Sequence, residues 1–164
     1  MTRTGIGYDS HRFAPGGRLV LGGIEVATDI HLVAHSDGDA IAHAVTDAVL
    51  GAAAAGDIGS MFPDTYAANK GRNSIDLLKL ALETVHALGY VVVNADVTVI
   101  AESPKIGPHR EAIRASLAHA LGVPPTAVSV KGKTNEGMGW IGSGEGLACI
   151  AVATITGGQD AGDD

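Results

Sequence analysis

The chain has 164 residues, of which 46% are apolar and only 4% aromatic, and its formal net charge is −7. This length and apolar content fit one compact domain with an aliphatic core and exclude a disordered chain. The net negative charge argues against broad electrostatic binding to nucleic acid or to an anionic membrane surface.

Hydrophobic patterns predict the following elements in chain order. Strands are predicted where β-branched or alternating apolar residues occur, at residues 3–10, 18–21, 24–27, 90–100, 127–131 and 146–155. Helices are predicted from a capping box at 36–39 to Gly56, from Asn73 or Ser74 to Gly89, and from Pro108 to Gly122.

Strands and helices follow each other without strict alternation, which favours an α+β fold with a mixed or antiparallel sheet and helices on one face. The strand at 146–155 is apolar on both sides, so we expect another subunit to cover the second face. Residues 1–156 form the expected domain, and residues 157–164 an expected frayed tail. The sequence has neither a signal-peptide apolar segment nor a bilayer-spanning apolar run, which predicts a cytoplasmic location.

The first strand carries a carboxylate and an imidazole on one face, because Asp9 and His11 lie two residues apart. The first helix carries Asp39, His43 and Asp47 at intervals of four, also on one face. A lone histidine on an apolar helix is more often a core residue than a ligand. Together with Asp9 and His11, however, His43 completes the three-ligand set typical of a catalytic zinc. Spacing alone does not establish that the strand and the helix meet.

Four loops contain further polar candidates, each with a plain structural alternative. Residues 35–40 either cap a helix or bind phosphate at its N-terminus. Residues 56–65 are either a connector or a polyol pocket, and residues 102–110 hold a lysine that is ordinarily solvated. Residues 131–146 do not match a P-loop, because position 127 is alanine. Gly137, Gly139 and Gly142 fit G-x-G-x-x-G, but no helical pattern follows them, which argues against a dinucleotide fold. Their two lysines, threonine and Glu136 can instead cradle a diphosphate and a magnesium ion.

These segments resemble one family over nearly the whole chain and in the right order. The matching stretches are GIGYDSHRF, AHSDGDAIAHAVTDAVLGAAAAGDIGSMFPDT, AESPKIGPHR and VKGKTNEGMGWIGSGEGLA. The chain is thereby similar to the 2-C-methyl-D-erythritol 2,4-cyclodiphosphate synthases of the non-mevalonate isoprenoid pathway. The resemblance implies a homotrimer with sites between subunits. It also implies a lyase reaction in which 4-diphosphocytidyl-2-C-methyl-D-erythritol 2-phosphate cyclises and releases CMP.

The resemblance also implies residue roles. The zinc ligands are Asp9, His11 and His43, and Glu136 holds a second ion, Mg²⁺ or Mn²⁺. The catalytic set is these four residues with Thr134. The expected substrate contacts are His35 and Ser36 near phosphate, Asp57, Gly59, Phe62 and Asp64 around methylerythritol, Ala101, Pro104, Lys105 and Ile106 around cytidine, and Lys133 and Thr134 at the diphosphate.

Two positions depart from the family pattern. Tyr66 and Ala67 follow FPDT where the family often has Asp-Pro, which puts the closure of that loop in question. Ser143 replaces an arginine that, in many members, faces a trimer cavity able to hold an isoprenoid diphosphate, so the resemblance does not extend to cavity binding.

Two other functions compete with this interpretation. One is a different zinc-dependent phosphoesterase or cyclase that acts on nucleotides. The other is a non-enzymatic trimeric binding protein with a structural zinc, but structural zinc usually has four protein ligands, and we find three.

Overall fold

The computed structural model describes residues 1–157, and the expected tail lies outside this range apart from its first residue. Seven strands are present in these residues: β1 Thr2–Pro15, β2 Leu19–Leu21, β3 Ile24–Ala27, β4 Ile30–Leu32, β5 Tyr90–Ile100, β6 Val128–Lys133 and β7 Gly146–Gly157. The α-helices are α1 Ala40–Ala52, α2 Ile58–Met61, α3 Ser74–Ala87, α4 Arg110–Leu121 and α5 Gly139–Gly142, and 3-10 turns occupy Ala67–Asn69, Gly107–His109 and Pro125–Ala127.

Five strands form one mixed sheet in the order β4-β1-β7-β5-β6, and β2 and β3 form a separate hairpin. All neighbours in the large sheet are antiparallel except β5 and β6, which run parallel because α4 connects them. The α+β class and the mixed sheet predicted from the sequence are confirmed.

The main helices cover one face of this sheet, where α1 lies on β1 and β7 and α4 lies beside β6. The opposite face exposes apolar side chains, among them Ile6 at 69%, Tyr8 at 56% and Val91 at 53% of their full accessible area. Ile150 and Val152 on β7 retain about a third of their accessible area. The strand is apolar on both faces, as predicted, and one of these faces is buried while the other is open.

The core is aliphatic, as the composition predicts, and Cys149 is buried within it. Burial raises the pKa of the Cys149 thiol, with the Asp39 and Asp9 carboxylates adding to the effect, so the thiol stays protonated. No helix within residues 1–157 combines the length and the apolarity needed to span a bilayer.

Two predicted helix boundaries were wrong. Asp39, not Ser36, caps α1, because its carboxylate accepts the Ala42 N–H at 3.0 Å. The helix ends at Ala52 rather than Gly56, since Ala54 already has a left-handed φ of 55°. The short strand β4 is absent from the strands predicted by the sequence.

Candidate metal centre and substrate cavities

Helix α1 packs directly on strand β1 because the strand has glycine, which lacks a side chain, at two positions that face the helix. A Cβ atom on Gly7 would lie 1.8 Å from the carbonyl oxygen of Ala44, and one on Gly5 would lie 2.1 Å from that of Ala48. Such distances exclude any side chain at these positions unless the backbone shifts. The next two residues of β1 on the same face are Asp9 and His11, so close packing brings them to His43 on α1.

The three predicted ligands therefore meet. The His11 Nε2 and His43 Nδ1 atoms lie 3.3 Å apart, and Asp9 Oδ2 lies 2.7 Å from the first and 2.9 Å from the second. These side chains retain only 12–22% of their accessible area. Among residues 1–157, this is the one cluster of three or more such side chains with converging ligand atoms. Two imidazoles and a carboxylate converging on one point fit a divalent metal ion.

Hydrogen bonds outside the cluster orient both rings. The His11 Nδ1 atom lies 3.0 Å from the Val33 carbonyl oxygen, which can only accept, so this nitrogen carries a proton. The Nε2 atom of His11 then faces the cluster. His43 faces the cluster with Nδ1, and its Nε2 contacts the hydroxyl oxygens of Ser36 at 2.9 Å and Ser74 at 2.8 Å.

The cluster also shifts the titration of its members. Burial opposes ionisation of Asp9, but hydrogen bonds and charge interactions with His11 and His43 outweigh it and hold the pKa of this carboxyl below its usual range. Burial likewise opposes protonation of His11, yet the hydrogen bond and the negative charge of Asp9 raise its pKa. Asp9 is thus an anion at neutral pH, as a metal ligand must be.

A cavity of about 200 Å³ opens beside the cluster. Five of the predicted substrate residues line it: His35, Ser36, Gly59, Phe62 and Asp64. The Nε2 atom of His35 is buried without a protein hydrogen-bond partner, which leaves it available to a ligand.

Asp57 is not among the residues that line this cavity. Its carboxylate caps α2 by accepting the Ser60 N–H at 2.7 Å, and this bond holds the pKa of Asp57 below its usual value. Asp47, on the metal face of α1, accepts the Ile58 N–H at 2.8 Å and so anchors the same helix.

Asp39 lies on α1 one turn before His43 but belongs to a different site. It is completely buried and accepts N–H groups of Gly22 and Gly23, each at 2.7 Å, in addition to that of Ala42. Burial raises the pKa of Asp39 to about 6, while these three N–H groups oppose the shift. The residue fastens the β2–β3 turn to α1 and has a structural role.

A second cavity, of about 270 Å³, lies at the ends of β5 and β6. All six remaining predicted contacts of the cytidine and diphosphate groups line it: Ala101, Pro104, Lys105, Ile106, Lys133 and Thr134. Arg110 adds a third cation, which suits a diphosphate. The two cavities share no lining residue, so one chain holds the two predicted halves of the site separately.

The loop with Glu136 lies beside the second cavity and not in the metal cluster. The Glu102 carboxylate accepts the N–H groups of Asn135 at 2.9 Å and Gly137 at 3.2 Å. Between them Glu136 is exposed and has a left-handed φ of 54°. Sequence reasoning overlooked Glu102, although a carboxylate close to a glycine-rich loop is a usual partner of its free N–H groups.

The fold and the cluster define an α+β protein in which three converging side chains fit a divalent metal ion beside a cavity of mixed polar and apolar lining. A family model described as the YgbB family matches residues 2–156, and this chain belongs to that family.

Similar proteins agree with this assignment. The chain is 63% identical to the 2-C-methyl-D-erythritol 2,4-cyclodiphosphate synthase of Gemmatimonas aurantiaca, over 94% of this chain and 93% of that protein. The structure of IspF from Plasmodium falciparum, a CDP complex, is similar with a TM-score of 0.84 and 34% identity, over 96% of this chain and 97% of the other. The structure of the bifunctional IspDF from Campylobacter jejuni is similar with a TM-score of 0.93 and 39% identity, over 98% of this chain and 43% of the larger chain.

Proposed function

We propose that this chain converts 4-diphosphocytidyl-2-C-methyl-D-erythritol 2-phosphate into 2-C-methyl-D-erythritol 2,4-cyclodiphosphate and CMP, as a cyclodiphosphate synthase. The observation that carries the proposal is the meeting of Asp9, His11 and His43 beside an open cavity, in a chain of this family. The location of the enzyme in the cytoplasm stays a prediction from the sequence.

Zinc is the metal that we propose for the cluster. Two imidazole nitrogens and a carboxylate oxygen form a ligand set that zinc commonly takes. Three protein ligands leave a fourth position for a phosphate oxygen of the substrate, which supports a catalytic rather than a structural metal.

The reaction asks the protein mainly for positioning and charge neutralisation. An oxygen of the 2-phosphate forms a bond to the β-phosphorus, and the bond from that phosphorus to the CMP oxygen breaks. The attacking phosphate is already anionic, so no general base is needed. When bound, zinc and a second ion, magnesium or manganese, act as Lewis acids on the phosphate oxygens.

The residues of the chain fold the substrate so that its two phosphates meet. In this proposal His35 and Ser36 contact it near the 2-phosphate, while Lys133 and Thr134 bind the diphosphate. Glu136 holds the second ion. Because both reacting groups belong to one molecule, holding it folded supplies much of the rate.

The remaining proposed substrate contacts position the ends of the molecule. The cavity around Lys105 takes the cytidine, and the loop that carries Asp57, Phe62 and Asp64 takes the methylerythritol.

The complete site requires a second copy of the chain, and we propose a homotrimer. The metal cavity and the lysine cavity are separate within one chain, so the substrate spans them only where neighbouring subunits meet. The exposed apolar sheet face with Ile6, Tyr8 and Val152 supplies surface for this contact. An exposed patch of this kind is typical of an interface between subunits.

Replacing one metal ligand tests the proposed reaction. His43→Ala should lose bound zinc and CMP release while the helix remains folded, because alanine is favourable within a helix. Zinc is measured by elemental analysis, CMP by chromatography and folding by circular dichroism. A variant with full activity and no bound zinc would contradict the metal role.

Mixing two inactive variants tests the subunit interface. Asp9→Asn removes the metal half, and Lys105→Ala with Thr134→Val removes the cytidine half. After co-refolding in equal amounts, about a quarter of the sites in a cyclic trimer should combine two intact halves. CMP release by the mixture is compared with that of each variant alone. If trimers shown to be mixed recover no activity, the site lies within one chain.

A further inference from the structure

We propose that Asp37 and Ser74 are positioning residues that fix the tautomer and the ring orientation of His43 for metal binding. The inference rests on the proposed metal at Asp9, His11 and His43 and concerns two residues outside that ligand set. Sequence reasoning assigned neither a role, apart from Ser74 as one possible helix cap.

A series of hydrogen bonds links the Asp37 carboxylate through Ser74 to His43, a proposed metal ligand. Ser74, the first residue of α3, is completely buried, and its hydroxyl oxygen lies 2.8 Å from His43 Nε2. The same hydroxyl forms a short hydrogen bond with Oδ1 of Asp37. The Ser74 N–H donates to Asp37 Oδ2 at 3.0 Å, so carboxylate and serine are joined at two points.

The chemistry of these groups determines which one donates and which one accepts in each hydrogen bond. An ionised carboxylate only accepts hydrogen bonds, so the single hydroxyl proton of Ser74 is donated to Asp37. The hydroxyl oxygen can then only accept, and His43 Nε2 must carry the proton that it accepts. When a metal ion takes the place of the hydrogen bond between His43 Nδ1 and Asp9, the neutral ring offers it the Nδ1 lone pair, on the nitrogen that faces Asp9 and His11.

Ser36 also contacts His43 Nε2, at 2.9 Å, but does not impose a direction. Its hydroxyl lies 3.4 Å from that of Ser74 and 3.4 Å from the Gly38 N–H, and it has no carboxylate partner. The Ser36 proton can therefore point toward or away from the imidazole. The Ser74 hydroxyl, in contrast, has a fixed orientation, because its proton is donated to the negatively charged Asp37.

Asp37 itself is held by the backbone on both sides. Its Oδ1 accepts the Asp39 N–H at 3.1 Å, and its own N–H donates to the Arg72 carbonyl at 3.2 Å. These bonds fix the carboxylate between the start of α1 and the start of α3. The arrangement resembles the carboxylate partners of metal-bound histidines, with a serine placed between carboxylate and ring.

The test compares zinc affinity in three variants of the full chain. Ser74→Ala removes the acceptor, Ser74→Thr keeps the hydroxyl, and Thr46→Val is a matched control. Thr46 is also completely buried and its hydroxyl donates only to the Ala42 carbonyl on the same helix. Zinc dissociation constants come from competition with a chelator, and the exchange rate of the His43 ring N–H comes from NMR of the zinc-loaded protein.

We expect Ser74→Ala to bind zinc about 10–100-fold more weakly and to exchange the ring proton faster. Ser74→Thr should restore both properties toward the wild type, and Thr46→Val should change neither. Asp37→Ala removes the charge and the acceptor of the Ser74 N–H but keeps the Ser74 hydroxyl. It should weaken zinc binding in the same direction, which keeps the test available if Ser74→Ala does not fold.

Zinc affinity and ring-proton exchange in Ser74→Ala within twofold of the wild type would overturn the inference. A different result, unchanged zinc binding in His43→Ala, would instead overturn the proposed metal site. The two failures are therefore distinguishable in one set of measurements.

Discussion

The proposed metal half of the site, around Asp9, His11 and His43, and the proposed diphosphate half, around Lys105, Lys133 and Glu136, are built in opposite ways. The metal ligands lie on a long strand and a buried helix, and hydrogen bonds orient both histidine rings. Lys105 and Glu136 are exposed in loops, and Lys133 is the exposed last residue of β6. One carboxylate, Glu102, holds the glycine-rich loop. The metal half is thus preorganised within one chain, whereas the diphosphate half is open until something covers it.

This difference has a physical reason. A metal site requires ligand atoms placed to within a fraction of an ångström, which packed elements provide. A pocket for a flexible nucleotide gains from long cationic side chains that remain hydrated until the ligand arrives. We therefore expect substitutions that disturb the packing of the metal half to affect folding and zinc together, and those in the diphosphate half to affect turnover alone.

The largest effect is expected from Gly7→Ala. The added Cβ would collide with the Ala44 carbonyl at 1.8 Å, so α1 must move away from β1. The cost is about 3 kcal/mol of unfolding free energy, and His43 leaves the cluster with the helix. Chemical denaturation and zinc content measure the two consequences. Normal stability with full zinc content would show that the helix packing does not build the site.

Gly51→Ala is the matched control on the same helix. Its Cβ would lie 3.9 Å from the Ile6 carbonyl oxygen, an ordinary contact. Alanine should stabilise the helix by about 0.5–1 kcal/mol and leave zinc content unchanged. Gly7→Ala should therefore lower the free energy of unfolding and Gly51→Ala should raise it, which separates the effect of the helix–strand contact from that of an added methyl group.

An intermediate effect is expected from Glu136→Gln in the diphosphate half. The change weakens the proposed second ion while Asp9, His11 and His43 are untouched, so zinc content and stability should persist as turnover falls. CMP release is measured at increasing magnesium or manganese concentration. If neither ion alters the wild-type rate, the role of Glu136 is wrong.

The smallest effect is expected from Asp96→Asn, which removes an ion pair between β5 and β6, the strands whose ends hold the second cavity. Asp96 and Lys131 are 2.7 Å apart but remain 43% and 52% exposed, so the pair contributes less than about 1 kcal/mol. Partial burial opposes ionisation of Asp96, but the Lys131 bond outweighs it and lowers the pKa. The contribution is therefore present at neutral pH and disappears as the pH falls through this lowered pKa. Denaturation of both proteins at pH 7 and below pH of about 3 measures it.

Much of the fold and the ligand types were determined by the sequence itself. Local apolar and β-branched patterns predicted six of the seven strands, with β1 and β6 longer than expected. Asn73 caps the start of α3 and Gly122 the end of α4, as predicted. Such signals are local, because the period of side chains and the conformations of caps depend on near neighbours.

The tertiary structure decided which of the marked residues act together. Asp39 lies one turn before His43, yet only His43 reaches the cluster, because the Asp39 carboxylate accepts hydrogen bonds from the β2–β3 turn instead. Ser74 lies 31 positions after His43 and contacts it only through the packing of α3 on α1. Gly5 and Gly7 bring His43 to Asp9 and His11, because they allow α1 to pack directly on β1. Contacts between distant segments of this kind produce no periodic pattern in the sequence, so the sequence alone does not predict them.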